Sequence, residues 1–138
     1  ATGEFASFLV ANAQAANAYA FNASPLMTRR GDSPDAVREE LVVISGPFFP
    51  HPLVRGYNNR FGSVVDTVNG VKIRSLAHLV ATLRDLKDEH VVFNFDQRYG
   101  ESMILPRKAA MEATEAILSD NGIRTQGSED MMKVWGGK

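Results

Sequence analysis

The 138-residue sequence has no cysteine, and this absence removes several kinds of chemistry from the chain. Disulfide bonds, thiol nucleophiles and cysteine-based zinc sites are excluded. Long apolar runs are also missing, since none approaches the about 20 residues that a membrane-spanning helix needs. Neither sign of charge dominates, because 15 basic side chains oppose 16 acidic ones and leave a net charge of −1. We therefore expect no membrane span, and the charge gives no reason to expect nucleic acid as a partner.

Motifs of catalysis and of ligand binding are missing as well. No serine lies in a G-x-S-x-G turn, and His51, His78 and His90 do not have H-x-x-x-H spacing. No glycine-rich phosphate-binding loop is present. The sequence thus predicts no catalytic residue, no metal site and no cofactor in this chain. We interpret the three histidines as ordinary surface or boundary residues.

The composition that remains is typical of one globular domain. Hydrophobic residues make up 44% of the chain and charged residues 22%, both close to the averages for soluble domains. The first residues, ATGEFASFLV, include neither an initiator methionine nor a basic signal region. We therefore expect the chain to be an excised or processed piece of a longer protein.

Short apolar segments recur along the chain and predict about five to seven strands. The continuous run LVVIS at residues 41–45 predicts a strand that is buried on both faces. YAFNA at residues 19–23 alternates large and small side chains and predicts a second short strand. Further strands are predicted in FASFLV (residues 5–10, with a helical turn as the alternative), SVVDTV, VKI, HVVFNFD and ESMIL.

Turn and helix signals connect these segments. Asn69-Gly70 lies between β-branched residues and predicts a type I′ hairpin, because both central positions of that turn need a positive φ. Ser75 predicts the N-cap of a helix that continues to Leu86. A second helix is predicted from Pro106 towards Gly122, and SEDMMKVW near the end predicts a short third one. The sum is a small α+β domain with two main helices and a C-terminal helical extension.

The order of these elements resembles a known family. VVDTVNGVKIRSLAHLVATLRDLKDEHVVFNFD resembles the second half of a PDZ domain of the HtrA/Deg type. Upstream, ELVVISGPFF and VRGY resemble the second, divergent PDZ domain of plant-type Deg serine proteases. Downstream, ILPRKAAMEATEAILSDNGI resembles the helix that follows the last strand of those domains. The resemblance covers residues 40–131, and it implies a PDZ-like, partly open β-barrel.

The resemblance also implies how the chain is divided. A PDZ-like domain is expected at residues 1–123, of which residues 1–39 match the family weakly. Residues 124–138 are expected to form a tail that is partly helical or disordered. In the weakly matched part, YAFNASPL lies where the family has a G-L-V-F-x-P-L segment, and alanines replace its glycine.

A PDZ domain binds an extended peptide by adding it as a strand beside a helix. The resemblance therefore implies a peptide groove between residues 19–23 and the helix that begins at Ser75. Alanines in the first segment disfavour the backbone nest that captures a free C-terminus, so internal segments or a neighbouring subunit are the expected ligands. On the helix, Leu76, Val80 and Leu83 are expected to face the core. Leu79 is expected to face the groove, with a position in the core as an equally weighted alternative. The predicted peptide-binding residues are Tyr19, Ala20, Phe21, Ser75, Leu79 and Thr82.

The function implied is a peptide-binding and regulatory module, without catalysis in this fragment, of a trypsin-like serine protease that is expected to be an oligomer. Its partner would be a peptide, a protein segment or a neighbouring protomer. One alternative is an oligomerisation module whose groove is filled by the aromatic residues of residues 46–62, among which Phe48 and Phe49 are interpreted as plugs of the core edge. Another is a stand-alone enzyme on an α+β scaffold, because a fold does not exclude a function.

Overall fold

A computed structural model of the chain describes residues 7, 10–21, 23–29, 31–46, 48–57, 60–97 and 100–137. Among the described residues, helices α1 (Ala13–Phe21) and α2 (Pro25–Thr28) precede a 3-10 turn at Pro52–Val54. The remaining elements are β1 (Val65–Val68), β2 (Val71–Lys72), α3 (Leu76–Asp85), β3 (His90–Phe95), β4 (Met103–Pro106), α4 (Arg107–Asp120) and α5 (Glu129–Trp135). The α+β class predicted from the sequence is confirmed.

The four strands form one antiparallel sheet in the order β2-β1-β3-β4. The turn between β1 and β2 has φ values of 46° at Asn69 and 80° at Gly70, which are the two positive values that a type I′ turn requires. The Asn69 side chain also accepts a hydrogen bond from the Val92 backbone N–H at 2.7 Å and donates one to the His90 carbonyl at 2.9 Å. The predicted hairpin is confirmed, and its turn is tied to β3.

The predicted strand at residues 41–45 is present as a single antiparallel bridge between Val43 and Val64. Two hydrogen bonds flank the bridge, from Val65 N–H to Val42 O at 2.8 Å and from Ile44 N–H to Ser63 O at 3.0 Å. The described residues therefore contain four strands and one bridged segment, so the predicted five to seven strands are not confirmed.

Two further strand predictions have different outcomes. The predicted strand at residues 19–23 is wrong, because residues 19–21 end helix α1. The sequence AQAANAYAF is rich in alanine, the residue with the highest helix propensity, and this outweighs its alternation of large and small side chains. The predicted strand at residues 5–10 lies largely outside the described residues.

The hydrophobic core lies on the face of the sheet that α3 covers. Its most buried members are Val68 and Ile73, at 0% and 1% exposure. Other apolar side chains packed against it are Ile44, Phe48, Tyr57, Leu79, Leu83, Leu86, Phe93 and Leu105. The interpretation of Phe48 as a core residue is thus confirmed, whereas Phe49 is 46% exposed.

Helix α3 directs Leu79, Leu83 and Leu86 towards this core. The prediction that Leu76 faces the core is wrong, since this side chain is 44% exposed. Leu76 is the first residue of the helix, and helical side chains tilt towards the N-terminus, beyond the turns that pack on the sheet. Leu79 packs against the core, which is the second of the two positions expected for it from the sequence.

The two C-terminal helices end and pack differently. Helix α4 closes with a Schellman motif, in which Gly122 has a φ of 64° and Ile123 N–H donates to Leu118 O at 2.9 Å. Helix α5 packs against α3, and Arg84 Nη1 donates to the Val134 carbonyl at 2.7 Å. The short helix predicted in the tail is therefore present and contacts the domain. Within the described residues, every helix is too short or too polar to cross a membrane.

Candidate functional site

The N-terminus of α3 is closed by side chains of the chain itself. Ser75 has an extended backbone, and its Oγ accepts a hydrogen bond from His78 N–H at 3.2 Å, as an N-cap does. The Leu76 N–H, one of the donors that a helix start leaves unsatisfied, donates to Glu40 Oε2 at 3.1 Å. A carboxylate at this end is favoured by the helix dipole. The site at which a helix would attract an external anion is thus already used by Glu40.

The other predicted residues of α3 also have internal contacts. Thr82 Oγ1 donates to the His78 carbonyl at 2.8 Å, and Leu79 packs against the core. Their role in peptide binding stays a prediction. The large apolar residue that helix α3 exposes is Leu76, which the sequence assigned to the core. No pattern in the sequence separates the first residue of this stripe from those that follow it.

Tyr19, Ala20 and Phe21 lie on the last turn of α1 rather than on a strand. Tyr19 Oη donates to the Phe61 carbonyl at 3.4 Å, and burial raises the pKa of this phenol. Gly62, which has a φ of 75°, lies so close that a Cβ added there would be 1.9 Å from Tyr19 Oη. Only a glycine allows this contact of α1 with the loop.

The six predicted residues are therefore not assembled as a strand beside a helix. The α1 group contacts the loop at Phe61 and Gly62, and the α3 group is used in helix capping and core packing. A helix end offers no ladder of backbone donors and acceptors along one side, because its amides bond within the helix. Strand addition at residues 19–21 is thus incompatible with the conformation observed, and their contact with a peptide remains a prediction.

A buried arginine that the sequence analysis did not identify connects the N-terminal segment to the sheet. The Arg38 side chain is 8% exposed and contacts two carboxylates, with Nη1 at 2.8 Å from Asp96 Oδ2 and Nη2 at 2.8 Å from Asp66 Oδ1. Asp66 is shared with Lys72. Asp35 accepts hydrogen bonds from the backbone N–H groups of Val37 and Arg38, and these bonds lower its pKa. The segment before residue 41 is therefore held by ion pairs as well as by the backbone hydrogen bonds that Glu39 and Glu40 donate to the Arg74 carbonyl.

A second buried arginine plays the same part for the loop at residues 48–62. Arg60 is 9% exposed, and its guanidinium lies 5.4 Å from the Phe95 ring centroid and 6.0 Å from that of Tyr57. These distances are those of cation–π contacts. Arg60 Nη2 also lies 3.2 Å from Glu101 Oε2. Both arginines occur in polar or proline-rich stretches, where the sequence pattern does not predict burial.

Tyr57 continues from this cluster to the outer edge of β4. Its hydroxyl accepts a hydrogen bond from the Ile104 N–H at 3.3 Å and lies 3.5 Å from the Ile104 carbonyl oxygen. Ile104 is opposite Val92, whose own N–H and C=O bond to Asn69 on the β1 side. The backbone groups of Ile104 therefore face outward, and one phenol covers both of them.

On the opposite side of the sheet, β2 and the bridged segment at residues 41–45 both pair with β1 or the residue before it, and the bridged segment carries no such cover in the part of the chain that the structure describes. Because the two hydrogen bonds of the Val43–Val64 bridge belong to the residues on either side, Val43 itself directs its N–H and C=O away from the sheet. Val43 and Leu41 are half-buried, and Ser45 is exposed. We call residues 41–45 the open edge.

Groups that could hold a metal are not found among the described residues, where no cluster of three or more histidine or acidic side chains occurs. Two histidines have structural contacts instead. His51 accepts a hydrogen bond from Leu53 N–H at 3.2 Å, and His78 Nδ1 accepts one from Arg74 N–H at 3.3 Å. These contacts agree with their interpretation as ordinary residues.

Comparison with known proteins agrees with this architecture. The sequence model of the PDZ domain family matches residues 9–130. The chain is also 31% identical over 110 residues to Protease Do-like 2, chloroplastic, from Arabidopsis thaliana. That alignment covers 80% of this chain and 18% of the relative, so the chain spans less than a fifth of the relative's length. The resemblance to a PDZ domain of HtrA/Deg proteases is confirmed, and the chain belongs to the PDZ domain family.

Proposed function

We propose that this chain is the peptide-binding and regulatory module of an HtrA/Deg-like serine protease, and that the cleavage of peptide bonds is carried out by another part of that protein. The observation that carries the proposal is the similarity to Protease Do-like 2 over 80% of this chain. The ligand is a peptide, a protein segment or a neighbouring protomer, and the whole protease is an oligomer.

The surface proposed for contact includes helix α3 and the six residues predicted from the sequence. Leu79→Asp is an unsuitable test of this surface, because Leu79 is half-buried against the core and a charge there would destabilise the fold as well as alter the surface. Leu76 is the better probe, since it is 44% exposed and starts the same helix. Val71, also 44% exposed but on the hairpin, provides a matched control.

The test is the binding of fluorescein-labelled peptides to the domain, measured by fluorescence anisotropy. The peptides come from an array of extended sequences, each with either a free or an amidated C-terminus. We expect saturable binding that Leu76→Asp weakens by about tenfold, through loss of one apolar contact and addition of a charge, and that Val71→Asp leaves unchanged. Absence of saturable binding to every peptide would refute the proposal.

Two alternatives are tested on the same chain by other measurements. Concentration-dependent assembly in analytical ultracentrifugation, without peptide binding, supports an oligomerisation module. Hydrolysis of a peptide or ester by the isolated chain supports a stand-alone enzyme. Phe48 and Tyr57 of the aromatic loop pack against the same core as Leu79, which is the observation that keeps the first alternative open to this test.

A further inference from the structure

We propose that the ligand binds by strand addition along the open edge, residues 41–45, and not along residues 19–23. This inference rests on the proposed peptide-binding function and names the surface and the kind of ligand. The ligand that it predicts is an internal, extended segment of an unfolded polypeptide, with apolar side chains at alternating positions.

The first argument is the direction of the backbone groups. In an antiparallel pair, residues of a non-hydrogen-bonded pair direct their N–H and C=O to the outer side. Val43 and Val64 form such a pair, and Val64 uses its outward carbonyl to accept from Asp96 N–H at 2.9 Å, on the β3 side. Val43 has no corresponding partner among the described residues. An extended backbone is the complement of a row of unpaired donors and acceptors.

The second argument is the difference between the two edges of the sheet. At the β4 edge, the Tyr57 hydroxyl contacts both outward groups of Ile104, so an added strand would first have to displace the phenol and the Arg60 cluster behind it. Natural sheets block an edge by such covers. The open edge has neither a proline nor a lysine within residues 41–45 to block it.

The third argument concerns the end of the ligand. Glu40 precedes the open edge, and its carboxylate already accepts the hydrogen bond from Leu76 N–H. Glu39, the residue before it, pairs with Arg74 at 3.7 Å. A terminal carboxylate placed here would meet two like charges and a helix start that is already occupied. The geometry therefore favours an internal segment over a free C-terminus.

The fourth argument concerns side chains. Val42 is buried and Ile44 packs against the core, so the side chains of an added strand that point to the same face continue an apolar row. The contact between Leu76 N–H and Glu40 places the exposed Leu76 near the start of that row. An apolar side chain at every second ligand position is thus expected, because only those positions face this surface.

The experiment uses the probe Lys-Val-Thr-Val-Thr-Val-Lys, acetylated, amidated and labelled with fluorescein, and the same peptide methylated on its backbone nitrogens. N-methylation leaves the side chains unchanged but removes the donors of a strand. We expect the methylated peptide to bind with a Kd that is at least about tenfold higher, because two or more hydrogen bonds are lost.

The matching variants are Val43→Pro and Ile104→Pro. Proline at Val43 removes an N–H that has no partner within the described chain and fills its place with a ring, which edge strands tolerate. We expect Val43→Pro to raise the Kd at least about tenfold and Ile104→Pro, on the covered edge, to leave it unchanged. Circular dichroism shows whether each variant is folded. If Val43→Pro is not, equal binding of the methylated peptide still refutes strand addition.

Each of the other possible results refutes a specific part of the proposal. Equal binding of both peptides, or by folded Val43→Pro, refutes the open edge while the proposed function stands. Binding of a peptide with a free C-terminus but not of its amidated form refutes the internal segment. A wild-type dimer that Val43→Pro converts to a monomer assigns the edge to a second copy instead. Failure of every peptide to bind refutes the proposed function itself.

Discussion

Residues 63–106 form the sheet, and residues 31–62 are attached to it by contacts of another kind. The first region supplies most of the apolar side chains of the core, such as Val65, Val68 and Ile73. The second also contributes apolar side chains to this core, but in addition it is held by two buried arginines, Arg38 and Arg60, through partners far along the chain. Apolar packing does not depend on direction, whereas an ion pair or a cation–π contact requires a specific partner at a specific place.

This difference has a consequence for function. A core of apolar side chains unfolds as one cooperative unit, while a segment held at a few polar points can separate from it locally. The open edge at residues 41–45 lies next to the second kind of attachment, since Arg38 is only three residues before Leu41 in the printed sequence. The segment that carries the proposed ligand surface is therefore positioned by Arg38 rather than by the core alone.

The largest expected effect is a loss of core packing at Ile73, which is 1% exposed. Ile73→Ala removes three buried carbon atoms and leaves a cavity, so we expect the free energy of unfolding to fall by about 3 kcal/mol. Urea unfolding followed by circular dichroism measures this change, and both regions should unfold in one transition. Val71→Ala, on the exposed side of the same hairpin, should change the free energy by less than about 0.5 kcal/mol. A similar loss for the two variants would contradict the assignment of the core.

The sequence predicts the features that depend on a few adjacent residues better than those that depend on distant contacts. The hairpin at Asn69-Gly70 and the cap at Ser75 were predictable because each depends on a few adjacent residues. Helix α1 was not, since alternating small and large residues in an alanine-rich stretch satisfy a short strand and a helix equally. At the start of α3, periodicity alone does not predict burial, because Leu76 fits the apolar spacing of the helix but is not packed against the core.

The site was less predictable than the fold. Arg38 lies 58 residues before Asp96 and 28 before Asp66, so nothing local indicates the pairing. The open edge depends on the pairing register, which makes Val43 and Val64 a non-hydrogen-bonded pair and directs the backbone groups of Val43 outward. The run LVVIS does not indicate this register. The predicted location of the groove depended on residues 19–23 being extended, and the helix observed there removes that condition.

An intermediate effect is expected for Arg38→Met. The variant removes a buried charge together with two ion pairs, but Asp96 is 38% exposed and can be hydrated, and Asp66 keeps Lys72. We expect the free energy of unfolding to fall by about 1–2 kcal/mol, less than for the cavity at Ile73. Hydrogen exchange should become faster at residues 35–40 than in β1 and β3, because the loss is local.

The matched control for this comparison is Arg74→Met. Arg74 is 48% exposed and lies 3.7 Å from Glu39, so its ion pair contributes little. We expect exchange rates within the range of the unchanged protein. Equal acceleration in the segment and in the sheet for Arg38→Met would show instead that Arg38 belongs to the cooperative core.

The smallest expected effect is a pH dependence of the same segment, which comes from Asp35. Its pKa is lowered from 3.8, chiefly because its carboxylate accepts backbone hydrogen bonds from Arg38 and Val37. A lowered pKa in the folded state means that the ionised form stabilises the turn above the ordinary value, and that this stabilisation is lost as the pH falls through the lowered one. Amide NMR shifts of Val37 and Arg38 should therefore titrate below pH 3.8 and stay constant above about pH 5. Asp85 and Asp130 also have lowered pKa values, but they lie on α3 and α5, so residue-specific signals separate them from Asp35. Asp35→Asn keeps a side-chain oxygen as acceptor but removes the ionisable carboxyl group. It should abolish the titration of these two amides while the sheet signals stay unchanged. A titration that persists would assign the pH dependence to another group.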